Sequence, residues 1–328
     1  MKFVSLPLIF SVLFTGSLFA QVPTINAGLD ETICPGECVD LIATYTGGEQ
    51  PTDYTVSDIG FAPDAYTGTA VTLSDDSQTG ALSIGFDFCF YGNTYSDFYI
   101  CSNNWIGFTG GETTTWVTSA IPDASGACPR NAILGPWHDI NPGVGGNIYY
   151  QVLGAAPYRR LVVTYQNVPM FSCTGMLFTS QIICYETTNI IENHISSKPI
   201  CPTWNSGNAV QGLHNIDGSA GVVYAGRNNT AWDVTDHAVR YNPLGVPTVE
   251  WYDGLTLIAT GTTVTVCPAV TTTYTAKLIS CGVVVATDDM TVIVSPLPVI
   301  DAGPDVSVCI GDMVTLTGTG AGVGGSYA

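Results

Sequence analysis

The residues able to carry chemistry in this chain are its 4 histidines and 27 acidic side chains. Glu192 and His194 stand two apart in Ile190-Ile-Glu-Asn-His194, so on a strand they share a face, and a carboxylate there would orient the imidazole. His138 and Asp139 are adjacent in Gly135-Pro-Trp-His-Asp139 and would point to opposite faces of a strand. Neither pair has an identifiable nucleophile beside it. Asp139, Glu186, Glu192 and Asp217 are the acids available for glycoside hydrolysis, which needs two carboxyls about 5–9 Å apart. No H-E-x-x-H, G-x-S-x-G or G-x-x-x-x-G-K occurs, and Gly143-Val-Gly-Gly146 lacks a phosphate-binding lysine, so it is a turn. The expectation is a protein that is not an enzyme.

Two binding chemistries remain. Acidic residues in turns supply the hard oxygens that Ca²⁺ takes, and Asp75, Asp76, Asp217, Asp301 and Asp305 are the candidates, although no D-x-D-x-D-G loop is present. No other cofactor is expected. Aromatic faces beside Asn and Asp can stack on sugars. Of the 6 tryptophans, Trp116 and Trp232 sit among Thr, Asn and Asp and are the candidates for display, with Asn104 as a hydrogen-bonding neighbour. Trp105, followed by Ile-Gly-Phe, and Trp251, within an alternating strand, read as core.

These residues must be positioned by strands. Charged residues are 11% of the chain, Gly and Pro total 55 (36 plus 19), and apolar residues reach 46%, a balance that argues against disorder. The net charge of -19, with only 8 basic residues, excludes a nucleic-acid partner and an anionic membrane surface, because both need clustered Lys and Arg. Residues 1–20 read as a signal peptide, with Lys2, an apolar run from Phe3 to Phe14 and a cut after Ala20. Once it is removed no transmembrane segment is expected, and the mature chain is placed outside the cell, secreted or attached to the outer surface.

In that compartment the 11 cysteines read as disulfides rather than zinc ligands. Their odd number leaves one unpaired unless the chain continues past Ala328, which is the expectation.

Residues 25–43 (INAGLDETICPGECVDLIA) repeat at 300–318 (IDAGPDVSVCIGDMVTLTG), the mark of a modular array. Short alternating strands at Val249–Tyr252, Thr263–Val266, Thr272–Ser280 and Met290–Val294 complete the first copy. The fold class is therefore all-β: an immunoglobulin-like sandwich in two parts, 21–49 and 245–297, interrupted by a larger jelly-roll-like β-sandwich at 50–244, with a truncated second repeat at 298–328. In that topology the turns at Cys38 and after Val266 lie at one end. Cys38 is paired with Cys267 on this ground, with Cys34 as the competing partner. Strands are expected in the insert at Ala81–Tyr91, Asp97–Cys101, Ile148–Val152, Leu161–Tyr165 and Phe178–Tyr185, with a hairpin from 181–185 to 190–195.

Cys34-Pro-Gly-Glu-Cys38, Asp301-Ala-Gly-Pro-Asp305 and Val266-Cys-Pro-Ala-Val-Thr-Thr-Thr-Tyr-Thr275 resemble the immunoglobulin-like or PKD-like repeats of large surface proteins from gliding bacteria that export through the type IX system. Gly135-Pro-Trp-His-Asp139 with Gly146-Asn-Ile-Tyr-Tyr150 is similar to extracellular nidogen-like domains. The resemblance implies a secreted adhesin or surface-fibre segment, with immunoglobulin-like spacers and the inserted sandwich as contact domain. Its implied partners are an extracellular surface, a glycan or protein ligand, or further copies of itself. The alternative is a carbohydrate-binding module of a secreted hydrolase.

Overall fold

The computed structural model describes residues 22–296 and 299–320; the expected leader at 1–20 lies outside them. The chain forms two compact units. The larger comprises Thr46–Pro247 and Ser280–Val283, and the smaller comprises Thr24–Tyr45, Thr248–Ile279 and the chain from Val284 onward.

The larger unit is built on two sheets. One has 6 strands, in the order Gly221–Ala231, Asn208–His214, Ala132–Trp137, Trp105–Gly107, Asn93–Cys101 and Leu82–Phe90. The other has 7, in the order Asp53–Ile59, Val234–Leu244, Ile191–Lys198, Cys173–Tyr185, Arg160–Met170, Asn147–Leu153 and Thr69–Val71. Neighbouring strands in both pair antiparallel and are joined mainly as meanders. Alternation makes the core: Ile84, Phe86 and Phe88 point inward from one strand, and they cluster with Phe98, Ile100, Leu161, Val163 and Phe178.

The strand Ala132–Trp137 is buried at every position rather than alternately. The cause is the connection between Gly107 and Ala132. It runs back over the outer face of the 6-stranded sheet and closes a second apolar cluster of Trp105, Ile121, Cys128, Leu134, Trp137 and Val210. A connection of this length without regular structure needs anchors. It has them in Glu112, which accepts from the Arg130 backbone N–H at 3.0 Å, in Thr115, whose carbonyl accepts from Trp137 Nε1 at 3.2 Å, and in Asp123, whose N–H donates to His214 Nε2 at 3.1 Å.

The smaller unit has a 5-stranded sheet in the order Thr256–Thr260, Thr248–Asp253, Thr272–Ser280, Val283–Val294 and Glu31–Ile33. Two strand pairs complete it, Thr263–Val266 with Val39–Ile42 and Thr24–Asn26 with Thr44–Thr46. Its core gathers Leu41, Trp251, Tyr274, Leu278, Met290 and Val292. Within residues 299–320 the backbone pairing is the single bridge Asp301–Thr319.

Three disulfides are present among the described residues: Cys38–Cys267 in the smaller unit, and Cys89–Cys281 and Cys173–Cys201 in the larger. Cys34 and Cys309 are free and exposed, and Cys101, Cys128 and Cys184 are free and buried. Burial pushes the Cys101 and Cys128 thiols up to about 12, which keeps them protonated and inert. Among the described residues no helix is long and apolar enough to cross a membrane.

Cys173 and Cys201 are 28 residues apart, and their bond clamps the turn after Met170 to the loop that follows Lys198. Closing a loop of that length removes unfolded-chain entropy worth about 3.6 kcal/mol at 25 °C. The double variant Cys173→Ser/Cys201→Ser is accordingly expected to lower the urea midpoint and red-shift the tryptophan emission, since Phe171 and Trp204 lie at either end of the clamp.

Candidate functional site

Four loops of the larger unit meet at one place: the turn Ser74–Gln78, the chain after Trp137, the connection carrying Trp116, and the loop carrying Trp204. Asn103, fully buried, ties three of them together. Its amide nitrogen donates to Asp76 Oδ1 at 2.7 Å and to the Thr114 carbonyl at 3.0 Å, and its Oδ1 accepts from the Ile140 N–H at 3.2 Å. The turn itself is strapped to the neighbouring strand end, Ser77 N–H to Ser102 Oγ at 3.0 Å and Ser102 N–H to the Ser77 carbonyl at 2.8 Å.

Asp75, Asp76 and Asp139 face one another here, with one carboxylate oxygen of each within 4.8 Å of the others. Asp139 is only 6% exposed; its Oδ2 accepts from Trp204 Nε1 at 2.6 Å. Burial raises the Asp139 carboxyl to about 7 against the Trp204 hydrogen bond, and the charges of Asp76 and Asp75 add to the rise. Asp75 is raised by burial and then by Asp76, with the Asp76 backbone N–H partly offsetting both.

Beside the carboxylates lies an aromatic cluster. Trp116 and Trp204, both half-buried, have ring centroids 4.8 Å apart at 37°, and half-buried Phe171 lies 4.7 Å from Trp204. Asn205 holds the loops together through its amide, to Thr118 Oγ1 at 3.0 Å. Phe171 precedes Cys173 and Trp204 follows Cys201, so the disulfide delivers both rings to one spot.

The structure brings some of the sequence candidates to this place and withdraws others. Trp116, Asp75 and Asp76 belong to it. Trp232 does not. It is 9% exposed, with Lys198 Nζ at 4.5 Å and Arg227 Cζ at 4.3 Å from its ring centroid, and its indole donates to the Ala209 carbonyl at 3.4 Å. Its polar sequence neighbours had pointed to display, but two cations cover the ring, and no face is left for a sugar. Asn104 is likewise corrected. It is fully buried in the left-handed region at φ 56°, and its amide serves the Gly135 and Pro136 carbonyls. It satisfies backbone acceptors in the core rather than a ligand.

Asp217 is exposed and accepts from Ser219 N–H at 3.0 Å and Ser219 Oγ at 2.6 Å, a turn-capping role. Asp301 accepts from the Gly303 N–H at 2.9 Å, and neither it nor Asp305 is part of an acidic group of three. Trp204, Phe171 and the ligand-like placement of Asp139 were not found from sequence. The one available signal was an aromatic residue within three positions of each partner cysteine.

The histidine pairs turn out as structural groups. His194 accepts from the Ala62 N–H at Nδ1, 3.3 Å, which leaves Nε2 to carry the proton it donates to Glu192 at 3.0 Å. Both side chains are buried. His138 packs edge-on against Phe178 at 4.6 Å, and burial followed by the Lys198 charge pushes it down to about 3, so it stays neutral.

A family model described as NIDO related matches residues 53–249. No curated protein and no solved structure matches the chain.

Proposed function

The chain belongs to the NIDO-related family, an extracellular-type β-sandwich module, and from that premise we propose that it is a secreted modular surface protein whose larger sandwich is an adhesive contact domain. The smaller unit is then an immunoglobulin-like spacer in an array exported by the type IX route of gliding bacteria. The observation that carries this reading is the half-buried pair Trp116 and Trp204, held on loops pinned by a disulfide and side-chain hydrogen bonds. Rigid aromatic anchors with one accessible side supply contact area at low entropic cost, which is what a recognition surface needs. The disulfides fit an oxidising compartment.

A carbohydrate-binding module is the second reading, favoured by the same stacked rings beside carboxylates. Binding of the full chain to cells, to itself and to a glycan array, with Trp116→Ala in parallel, separates the two. Adhesion without sugar, weakened at least tenfold by Trp116→Ala, is the expected result. Saturable sugar binding lost in the variant would identify a glycan module instead, and binding indifferent to Trp116 would remove the aromatic surface from either role.

A further inference from the structure

The larger sandwich contains an acidic site that no ion pair among the described residues neutralises. The charges of Asp75, Asp76 and Asp139 converge within 4.8 Å. The arginine ion pairs engage other acids, Arg130 with Glu112, Arg159 with Glu186, Arg160 with Asp64 and Arg240 with Glu192. An independent observation points to a cation at this place. Asp139 is 94% buried by its 6% exposure, and its Oδ1 is sealed from solvent without a hydrogen-bond partner. Asp75 Oδ1 in the same group is likewise buried and unpartnered. A carboxylate oxygen left in that state is costly unless a cation or proton takes it up.

We propose that Asp75, Asp76 and Asp139 bind a Ca²⁺ ion that locks the Ser74–Gln78 turn to the chain after Trp137. The donor set is all carboxylate oxygen, which excludes the softer metals that prefer thiolate or imidazole. The ligands come from two loops rather than one rigid element, and that favours the adaptable coordination of Ca²⁺ over the strict octahedron of Mg²⁺. Asp139 also accepts from the indole of Trp204, so the ion's ligand and the aromatic cluster share one side chain. The ion thereby stiffens the surface to which Trp204 and Trp116 belong. This site stands whether or not the contact surface proves adhesive, because its test reads the metal alone.

The experiment uses the full chain stripped with chelator. Calcium is titrated by calorimetry, and Tb³⁺ by its luminescence excited through tryptophan, with Trp204 as the donor at the site. One binding event is expected, with a Kd on the order of 10⁻⁴–10⁻³ M, as in extracellular calcium modules. At ten times Kd the melting midpoint of the larger unit should rise by roughly 3–5 °C. Asp76→Asn, which keeps an Oδ1 to accept from Asn103 while removing the charge of an exposed side chain, should weaken Ca²⁺ at least tenfold and dim the Tb³⁺ signal. Asp217→Asn, in a turn outside the group, should leave both unchanged. Absence of heat and of a melting shift at 10 mM Ca²⁺ (about ten times the weakest expected Kd), equal binding of Mg²⁺, or Ca²⁺ binding untouched by Asp76→Asn would each overturn the assignment.

Discussion

Replacing Arg240 with Met is expected to destabilise the larger sandwich by about 3–5 kcal/mol at pH 7, because it strands a buried carboxylate. Glu192 is 4% exposed and lies directly across the strand pair from Arg240. The guanidinium donates to Glu192 Oε1 from Nε at 2.8 Å and from Nη2 at 2.6 Å. The other oxygen accepts from Tyr185 Oη at 2.9 Å and His194 Nε2 at 3.0 Å. Burial alone would raise Glu192, but the hydrogen bonds from His194, Arg240 and Tyr185 together hold it below its ordinary value. A carboxyl depressed in the folded state contributes stability above its unfolded pKa, and that contribution is lost as pH falls through the folded value. In Arg240→Met the burial remains and the strongest counter-charge is gone, so the folded pKa rises. The deficit against the parent protein is therefore largest at neutral pH and shrinks as pH falls from the variant's raised folded pKa through the parent's depressed one, since the unfolded value is common to both. Urea unfolding at pH 7 and pH 3.5 reads it. Equal losses at both would assign the effect to packing, and Glu192→Gln/Arg240→Met should recover part of the loss at pH 7 by removing the stranded charge.

What the sequence made legible here was alternation. Thr272–Ser280 was bounded as it folds, with Tyr274, Ala276, Leu278 and Ser280 turned inward at every second place. Leu82–Phe90 was found within a residue at each end, for the same reason. Where alternation breaks, the pattern marks only part of the strand. Leu161–Tyr165 is the first half of Arg160–Met170. The register shifts between Tyr165 and Val168, where Asn167 takes a left-handed φ of 53°, and pairing then resumes through Val168 and Pro169. Met290–Val294 likewise proved to be the end of a strand that begins at Val283, just after the tight turn at Cys281-Gly282, because Val283–Thr287 is largely exposed on both faces.

The site was less legible, and the physics explains why. Asp139 is brought to Asp75 and Asp76 by strand packing, and Trp204 to Trp116 by a disulfide and a loop laid over a sheet. Neither approach leaves a spacing in the chain. Trp232 is hidden from sequence by the opposite cause. Local polarity forecasts exposure only when the polar neighbours face water, and here Lys198, donating to the Trp232 carbonyl at 2.7 Å, is itself buried against the ring.

The smaller unit offers the other large effect. Trp251→Ala is expected to remove about 3–5 kcal/mol, enough to unfold a sandwich with so small a core at 37 °C. Trp251 is fully buried in a cluster of 12 residues, where it is the largest side chain, and its indole donates to the Gly261 carbonyl at 3.2 Å. Truncation therefore opens a cavity that Leu41 and Leu278 cannot close without leaving their own strands, and it orphans a carbonyl as well. The Cys38–Cys267 bond keeps the two sequence-distant parts of this unit together after its core melts, so the product should be compact and reversible rather than extended. The larger sandwich has a separate core of 29 buried residues and should keep its own transition. Hydrogen exchange followed by segment reads both at once. Fast exchange confined to 24–45, 248–279 and 284–294, with protection retained in 82–101 and 160–198, is the expected pattern. Loss of protection throughout would show instead that the two cores fold as one cooperative body.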